Sequence, residues 1–264
     1  MDIRTTPNPL VRRAGRTLHT LNSRHPWDHN AHFHRWILRS LPTPTRRVLD
    51  VGCGRGALVR ALAAHLAADG TGTVDGMNAA DGTGAADGTN TAVGTDATVR
   101  VDGIDPDEEM ARIAAEACAD LPGVQIQRRG LAEHAAQLRK DASGGTYDAV
   151  TMIASLHHMD LEPALEDARD LLRPGGRLLV VTLTVPRTRT DLLWDVGNAL
   201  TNPLIGLALH PRPVRDPAPG PLIPVRDPAW SVGELRERAS AVLPGAVVRR
   251  REGFRSTLRW QKPA

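Results

Sequence analysis

Aromatic side chains are scarce in this chain, which has one tyrosine, two phenylalanines and five tryptophans in 264 residues. Its core must therefore be aliphatic, and with 41% of the residues hydrophobic there is material for one large domain. Cysteine is just as sparse. Cys53 and Cys118 are too few for a disulfide framework and lack the spacing of a zinc site. No stretch approaches the roughly 18 apolar residues that cross a bilayer. Met1–Thr20 has no apolar run ahead of a cleavage site, so the expectation is a cytoplasmic protein without a membrane span. Lysine is almost missing, since only Lys140 and Lys262 stand among 33 basic residues.

What replaces lysine is arginine, concentrated at the two ends. Nine arginines lie between Arg4 and Arg47 against only Asp2 and Asp28, and Arg249, Arg250, Arg251, Arg255 and Arg259 crowd the C-terminal segment. Because arginine predominates along the whole chain, this is a compositional bias rather than a phosphate-binding face, which argues against a nucleic-acid partner. Residues 67–98 are built from Gly, Ala, Thr and Asp, with Asp-Gly recurring at Asp69, Asp75, Asp81 and Asp87. Almost nothing there can offset the entropy of ordering the backbone, so a disordered surface insertion is predicted. The six-residue period matches no calcium-binding turn array.

Outside that segment, short apolar runs alternate with helical patterns, which predicts a parallel sheet covered by helices. Strands are expected over Arg47–Val51, Val99–Ile104, Val124–Arg128, Tyr147–Ser155 and Arg177–Val185, and helices over Ala57–Leu66, Glu108–Ala119 and Leu161–Leu172. Beyond Pro186 the apolar stretch Leu192–Leu209 is interrupted by Gly197, Pro203 and Gly206, which predicts a broken helical cap. A proline-rich loop containing PVRDPA twice follows. Ser231 with Glu234 three residues later forms a capping box that opens another helix. Two last strands, Ala246–Glu252 and Arg255–Gln261, flank a Gly253-Phe254 hairpin turn.

The segment VLDVGCGRG, Val48–Gly56, sits between a strand and a helix. Glycines there let backbone groups approach a ligand with no Cβ in the way, although a simple tight turn would use them too. A dinucleotide fingerprint needs G-x-G-x-x-G, whereas Gly52, Gly54 and Gly56 are spaced G-x-G-x-G.

Five ordered motifs give the chain a resemblance to the class I S-adenosylmethionine-dependent methyltransferases. They are VLDVGCGRG, VDGIDPDEEM (Val101–Met110), GLAEHA (Gly130–Ala135), YDAVTMIASLHHM (Tyr147–Met159) and LLRPGGRLLVV (Leu171–Val181). The resemblance implies a doubly wound, mostly parallel seven-stranded α/β sheet of Rossmann-like type with a C-terminal antiparallel hairpin. It implies S-adenosyl-L-methionine as cofactor, with Gly52, Cys53, Gly54 and Gly56 around its methionine part and Asp50 orienting the loop. Asp105 would accept the two ribose hydroxyls, Pro106 and Met110 would pack on the adenine, and Ala154 would border the site from the fourth motif. The third motif departs from the pattern: an aspartate often follows its glycine, and here Leu131 stands there. Backbone groups of Leu131 and Ala132, or the Glu133 side chain, would then serve the adenine.

Methyl transfer from a sulfonium is an in-line displacement, carried mainly by positioning, that needs no metal. An oxygen or nitrogen acceptor gains from a base, and His157 and His158 follow the fourth strand at the end where open parallel sheets bind ligands. Of the pair His158 is the expected base, the alternative being a helix-capping role. His25, His29 and His32 would share a helical face, but no further ligand set completes a metal site. The resemblance also implies that residues 1–46 form a helical lid over the cofactor and residues 47–264 the catalytic domain. Trp27, Phe33 or His34 would close the pocket, and Trp194 in an acceptor-site cap at about 187–230 would form the other wall. The expected function is methylation of a small-molecule acceptor of specialised or quinone-like metabolism. The alternatives are an RNA or protein methyltransferase and a non-catalytic cofactor-binding regulatory subunit. The oligomeric state has no signature in the sequence.

Overall fold

The computed structural model describes residues 27–70, 99–141, 146–212 and 228–264. A seven-stranded sheet has the order β3-β2-β1-β4-β5-β7-β6, formed by β1 (Arg47–Val51), β2 (Arg100–Asp105), β3 (Val124–Arg128), β4 (Tyr147–Ile153), β5 (Leu172–Thr182), β6 (Val247–Arg251) and β7 (Arg255–Gln261). All neighbours pair in parallel except β7, which runs antiparallel to both β5 and β6. β1, β2 and β4 are buried along nearly their whole length, as expected of parallel strands covered on both faces.

One face is covered by α1 (His34–Ser40), α2 (Ala57–Gly70) and α3 (Glu108–Ala117). There Phe33, Ile37, Val59, Leu62 and Ala114 pack on Val48 and Val101. The other face carries α4 (Leu131–Lys140), α5 (Leu161–Leu171) and α7 (Val232–Val242), whose Leu131, Leu165 and Leu235 meet Leu49, Val150 and Leu258. The expected doubly wound arrangement and the C-terminal hairpin are both present. The sheet reverses its winding between β1 and β4, which sets a crevice at their C-terminal ends.

Several boundaries differ from the sequence reading, the larger shifts falling at α2 and β5. α2 continues through Ala67 and Ala68 to Gly70, because alanine favours helix and the first residues of the low-complexity segment simply extend it. The remainder of that segment, like the part of the expected lid before Trp27 and most of the proline-rich loop, lies outside the described residues. β5 begins at Leu172 instead of Arg177. Tyr147 pairs with Leu172 and Ala149 with Arg177, so Arg173–Gly176 bulge out opposite Asp148. Asp148 stitches that gap, accepting from the backbone N–H groups of Arg46 and Arg47 at 2.7 Å each and from Arg173 Nε.

Beyond β5, the expected broken cap is one continuous helix, α6 (Arg189–Leu209), with Pro203 inside it. A capping box that precedes the apolar stretch starts it: Thr188 Oγ1 accepts from Asp191 N at 3.1 Å, and Asp191 Oδ2 accepts from Thr188 N at 2.9 Å. Burial of Asn202, Pro203 and Gly206 against the body outweighs the poor helix propensity of those positions.

Candidate functional site

The glycine turn leaves β1 at Val51 and folds over the end of β2. Gly52 N and Cys53 N both donate to the Ile104 carbonyl, at 2.8 and 3.0 Å. Gly52 has φ +69° and lies so close to Ser155 that a Cβ there would sit 2.4 Å from the Ser155 Cβ. No other residue type fits. Gly54, at φ +55°, faces open space instead: nothing lies within 4 Å of where a Cβ would be. The turn is thus packed tight at its first glycine and open at its second.

Asp105 ties this turn to β2. Its Oδ2 accepts from Gly54 N and its Oδ1 from Asp107 N, both at 2.9 Å. Each oxygen retains a second lone pair for an outside donor. Burial raises the Asp105 carboxyl above its ordinary range, against the pull of those two amides. Asp50 is fully buried in β1, and burial pushes it up to about 7 although Thr151 Oγ1 donates to its Oδ1 at 2.8 Å. Among the described residues no arginine or lysine acts on either carboxylate. The crevice therefore holds two buried acids, the charge of Asp105 adding to the rise of Asp50, and the cationic group that acts on Asp105 is a histidine, His158.

The third motif resolves into backbone. The Leu131 side chain is buried in the core, so only its backbone can face a ligand. Gly130 caps α4 without any side-chain hydrogen bond, leaving the first-turn amides of Leu131, Ala132 and Glu133 without intrahelical partners. Glu133 is exposed and pairs with Arg129 at 3.5 Å. Pro106 lies exposed at the tip of β2, and Met110 is buried one turn into α3.

From β4 the chain passes through Ala154, whose φ of +54° is unusual for a residue with a Cβ, into a single 3-10 turn at Leu156–His158. Ser155 Oγ donates to the Val51 carbonyl at 2.7 Å, which locks this corner against the glycine turn. His157 is buried and His158 partly exposed, their rings 4.1 Å apart. The charged form of His158 stabilises the Asp105 carboxylate, so the two share one crevice. Cys53 is buried, and its thiol is pushed up by that burial and by Asp50.

Trp27 and Trp194 stand farther along the same edge, where α6 meets the β6–β7 hairpin. Trp27 Nε1 donates to Asn202 Oδ1 of α6 at 3.0 Å, and its ring lies against Gly253 of the hairpin turn. Trp194 Nε1 donates to the Arg251 carbonyl at 3.2 Å. His34 opens α1, half-buried, and its basicity is lowered by burial against the pull of Asp28. Sequence reasoning missed Thr151, Ser155, Asn198 and Arg250. The first two are small residues inside an apolar run, with only their place within the fourth motif as a signal. The last two acquire roles through contacts across 50 residues or more.

The sequence family described as a methyltransferase domain matches residues 82–178, which leaves the glycine turn outside the match. An uncharacterized methyltransferase of Mycobacterium tuberculosis (strain ATCC 25618 / H37Rv) is 29% identical over 243 residues, covering 90% of this chain and 98% of that protein. Among solved structures, a SAM-dependent methyltransferase from Aquifex aeolicus aligns with TM-score 0.50 at 15% identity, over 93% of this chain and 97% of that one. The CMeT domain of the citrinin polyketide synthase aligns with TM-score 0.52 at 13% identity, over 88% of this chain and 51% of the other. Residues 82–178 match the methyltransferase-domain family, and the chain, on the corresponding seven-stranded sheet, is an enzyme of the methyltransferase class.

Proposed function

We propose that the chain transfers a methyl group from S-adenosyl-L-methionine to a small-molecule acceptor. The observation that carries this reading is the pair of buried acids, Asp50 and Asp105, beside a glycine turn that is open at Gly54. A cationic nucleoside-bearing ligand fits that combination. Its ammonium group finds Asp50 and the turn, and its ribose hydroxyls find the spare lone pairs of Asp105. The uncapped amides of Leu131 and Ala132 supply donors for an adenine nitrogen. When bound, the cofactor supplies an electrophilic methyl on a sulfonium.

The chain's own residues then orient and shield. Gly52, Ser155 and Asp105 hold the turn in one shape, which is how positioning lowers the barrier. His158, partly exposed at the rim beside Asp105, is the group placed to take a proton from an oxygen or nitrogen acceptor. His157, buried beneath it, fixes its ring.

A small acceptor is favoured over RNA because the C-terminal arginines have internal duties. Arg250 pairs with Asp191, Arg255 bonds Asn30 and the Gly253 carbonyl, and Lys262 Nζ donates to the carbonyls of Arg169 and Leu172. Trp194 provides a ring-lined wall suited to a planar acceptor, in keeping with the quinone-like resemblance. The test is a calorimetric titration with S-adenosylhomocysteine, followed by an assay of its release from S-adenosylmethionine in the presence of metabolite extracts. Micromolar binding and extract-dependent release are expected. Release driven by RNA with steep salt dependence would overturn the small-molecule reading.

A further inference from the structure

α6 is amphipathic the wrong way round. Leu193, Leu200 and Leu204 face outward, while Asp191, Asn198 and Asn202 are buried. Turning polar residues inward costs stability unless something is bonded there. Asp191 has its partners in Arg250 and the Thr188 cap; burial pushes its carboxyl up, yet these bonds hold it well below the ordinary range. Asn202 accepts from Trp27. Asn198 is different. It is 5% exposed, and its Nδ2 has no hydrogen-bond partner among the described residues. An unmet buried donor of this kind costs about 1–3 kcal/mol.

Asn198 lines a cavity of about 20 Å³, room for one group the size of a water molecule. Asp195, one turn back on α6, lines the same cavity, and the Trp194 and Phe254 side chains wall it. Phe254 is held at φ +58°, a conformation that a bulky residue adopts only when its surroundings impose it. Two carboxylates, Asp191 and Asp195, and two guanidiniums, Arg250 and Arg255, surround the space, so their charges cancel. A carboxylate or ammonium ligand would upset that balance. A neutral group that both accepts and donates would not.

Resting on the small-molecule reading above, we propose that this cavity is an anchoring subsite for a hydroxyl on a planar ring of the acceptor. The hydroxyl accepts from Asn198 Nδ2 and donates to the Asp195 carboxylate, with the ring between Trp194 and Phe254. The subsite selects phenolic acceptors over carboxylic acids, amines and bare rings, because only a hydroxyl satisfies both groups without adding charge.

The probes are phenol, benzoate, benzylamine and toluene, added to the full-length protein saturated with S-adenosylhomocysteine and followed by ligand-observed NMR. Phenol is expected to bind best, and Asn198→Asp and Asp195→Asn, both isosteric, are each expected to weaken it about tenfold. S-adenosylhomocysteine affinity should stay at its original value in both variants. Phenol affinity unchanged in both variants, or benzoate or benzylamine binding as well as phenol, would overturn the subsite. Variant-sensitive phenol binding in a protein that does not take up S-adenosylhomocysteine would uphold the subsite and sink the cofactor reading instead.

Discussion

Thr151 Oγ1 donates to Asp50 Oδ1 at 2.8 Å, a bond between buried register partners on two adjacent parallel strands. It partly compensates a carboxyl that burial pushes up to about 7. The native protein holds this proton up to that pH, whereas an unfolded aspartate releases it near 4. The native state therefore binds more protons between about pH 4 and 7, so the Asp50 contribution to stability falls as pH rises through that window and levels off above it. A cationic ligand favours the ionised form, so S-adenosylhomocysteine, through its ammonium, should bind more tightly as pH rises toward 7 and release a proton below it. Calorimetry in buffers of different ionisation heat checks the proton. Thr151→Val, which removes the bond holding the carboxyl down, should move the midpoint of the affinity profile to higher pH.

Asp105 serves Gly54 and Asp107 before it serves any ligand. Asp105→Ala frees both amides and removes the candidate ribose acceptor, so S-adenosylhomocysteine affinity should fall at least about tenfold, the cost of one charge-assisted hydrogen bond. Asp105→Asn, which keeps one acceptor oxygen, should lose less. Equal affinity in the wild type and Asp105→Ala would rule out the ribose assignment.

The contact between Gly52 and Ser155 allows a paired substitution. Gly52→Ala combines a positive φ with a Cβ 2.4 Å from that of Ser155 and should destabilise the protein by about 3 kcal/mol. Adding Ser155→Gly removes the clash and should recover part of the loss in chemical denaturation. The φ penalty remains, so recovery should be incomplete.

At the opposite end of the strands, Tyr147 OH donates to Asp102 Oδ2 at 2.8 Å and meets His134 Nε2 at 3.0 Å. Arg100 also bonds Asp102, at 2.9 Å, so the acid stays paired when the phenol is removed. Tyr147→Phe should cost about 1–2 kcal/mol of stability. S-adenosylhomocysteine affinity should be unchanged, since this cluster sits at the N-terminal edge of the sheet. A loss of affinity would show that the two edges are coupled.

Residues 71–98 lie outside the described residues, and their composition cannot build a core. Replacing them with a short Gly-Ser linker between Gly70 and Val99 should leave the thermal midpoint and cofactor affinity nearly as they were. Loss of either would make the insertion a working part of the enzyme.

Much of this was legible from residue order alone. The apolar runs of β1 and β4, bounded by turn signals, read as buried parallel strands, while β3 at the sheet edge shows as the alternation of Val124 and Ile126, and α2 and α3 follow from helical periodicity. The glycine spacing at Gly52, Gly54 and Gly56 and the acids Asp50 and Asp105 likewise mark a ligand-binding turn, because those residue types are needed at that bend whatever surrounds them. Local pattern misled where distant contacts outweighed propensity. α6 persists through Pro203 because burial of Asn202, Pro203 and Gly206 against the body holds it, and β5 starts early because Asp148 bridges a bulge.

The sequence by itself determined the alternation of strands and helices, the shape of the glycine turn and the chemical type of its acids, since each depends on backbone sterics and short-range periodicity. Only the tertiary structure decided that Leu131 is a core residue, that Thr151 tempers Asp50, and that α6 turns Asp195 and Asn198 toward the β6–β7 hairpin. Those outcomes depend on which surfaces meet, and neighbours 50 or 100 residues apart leave no trace in local pattern.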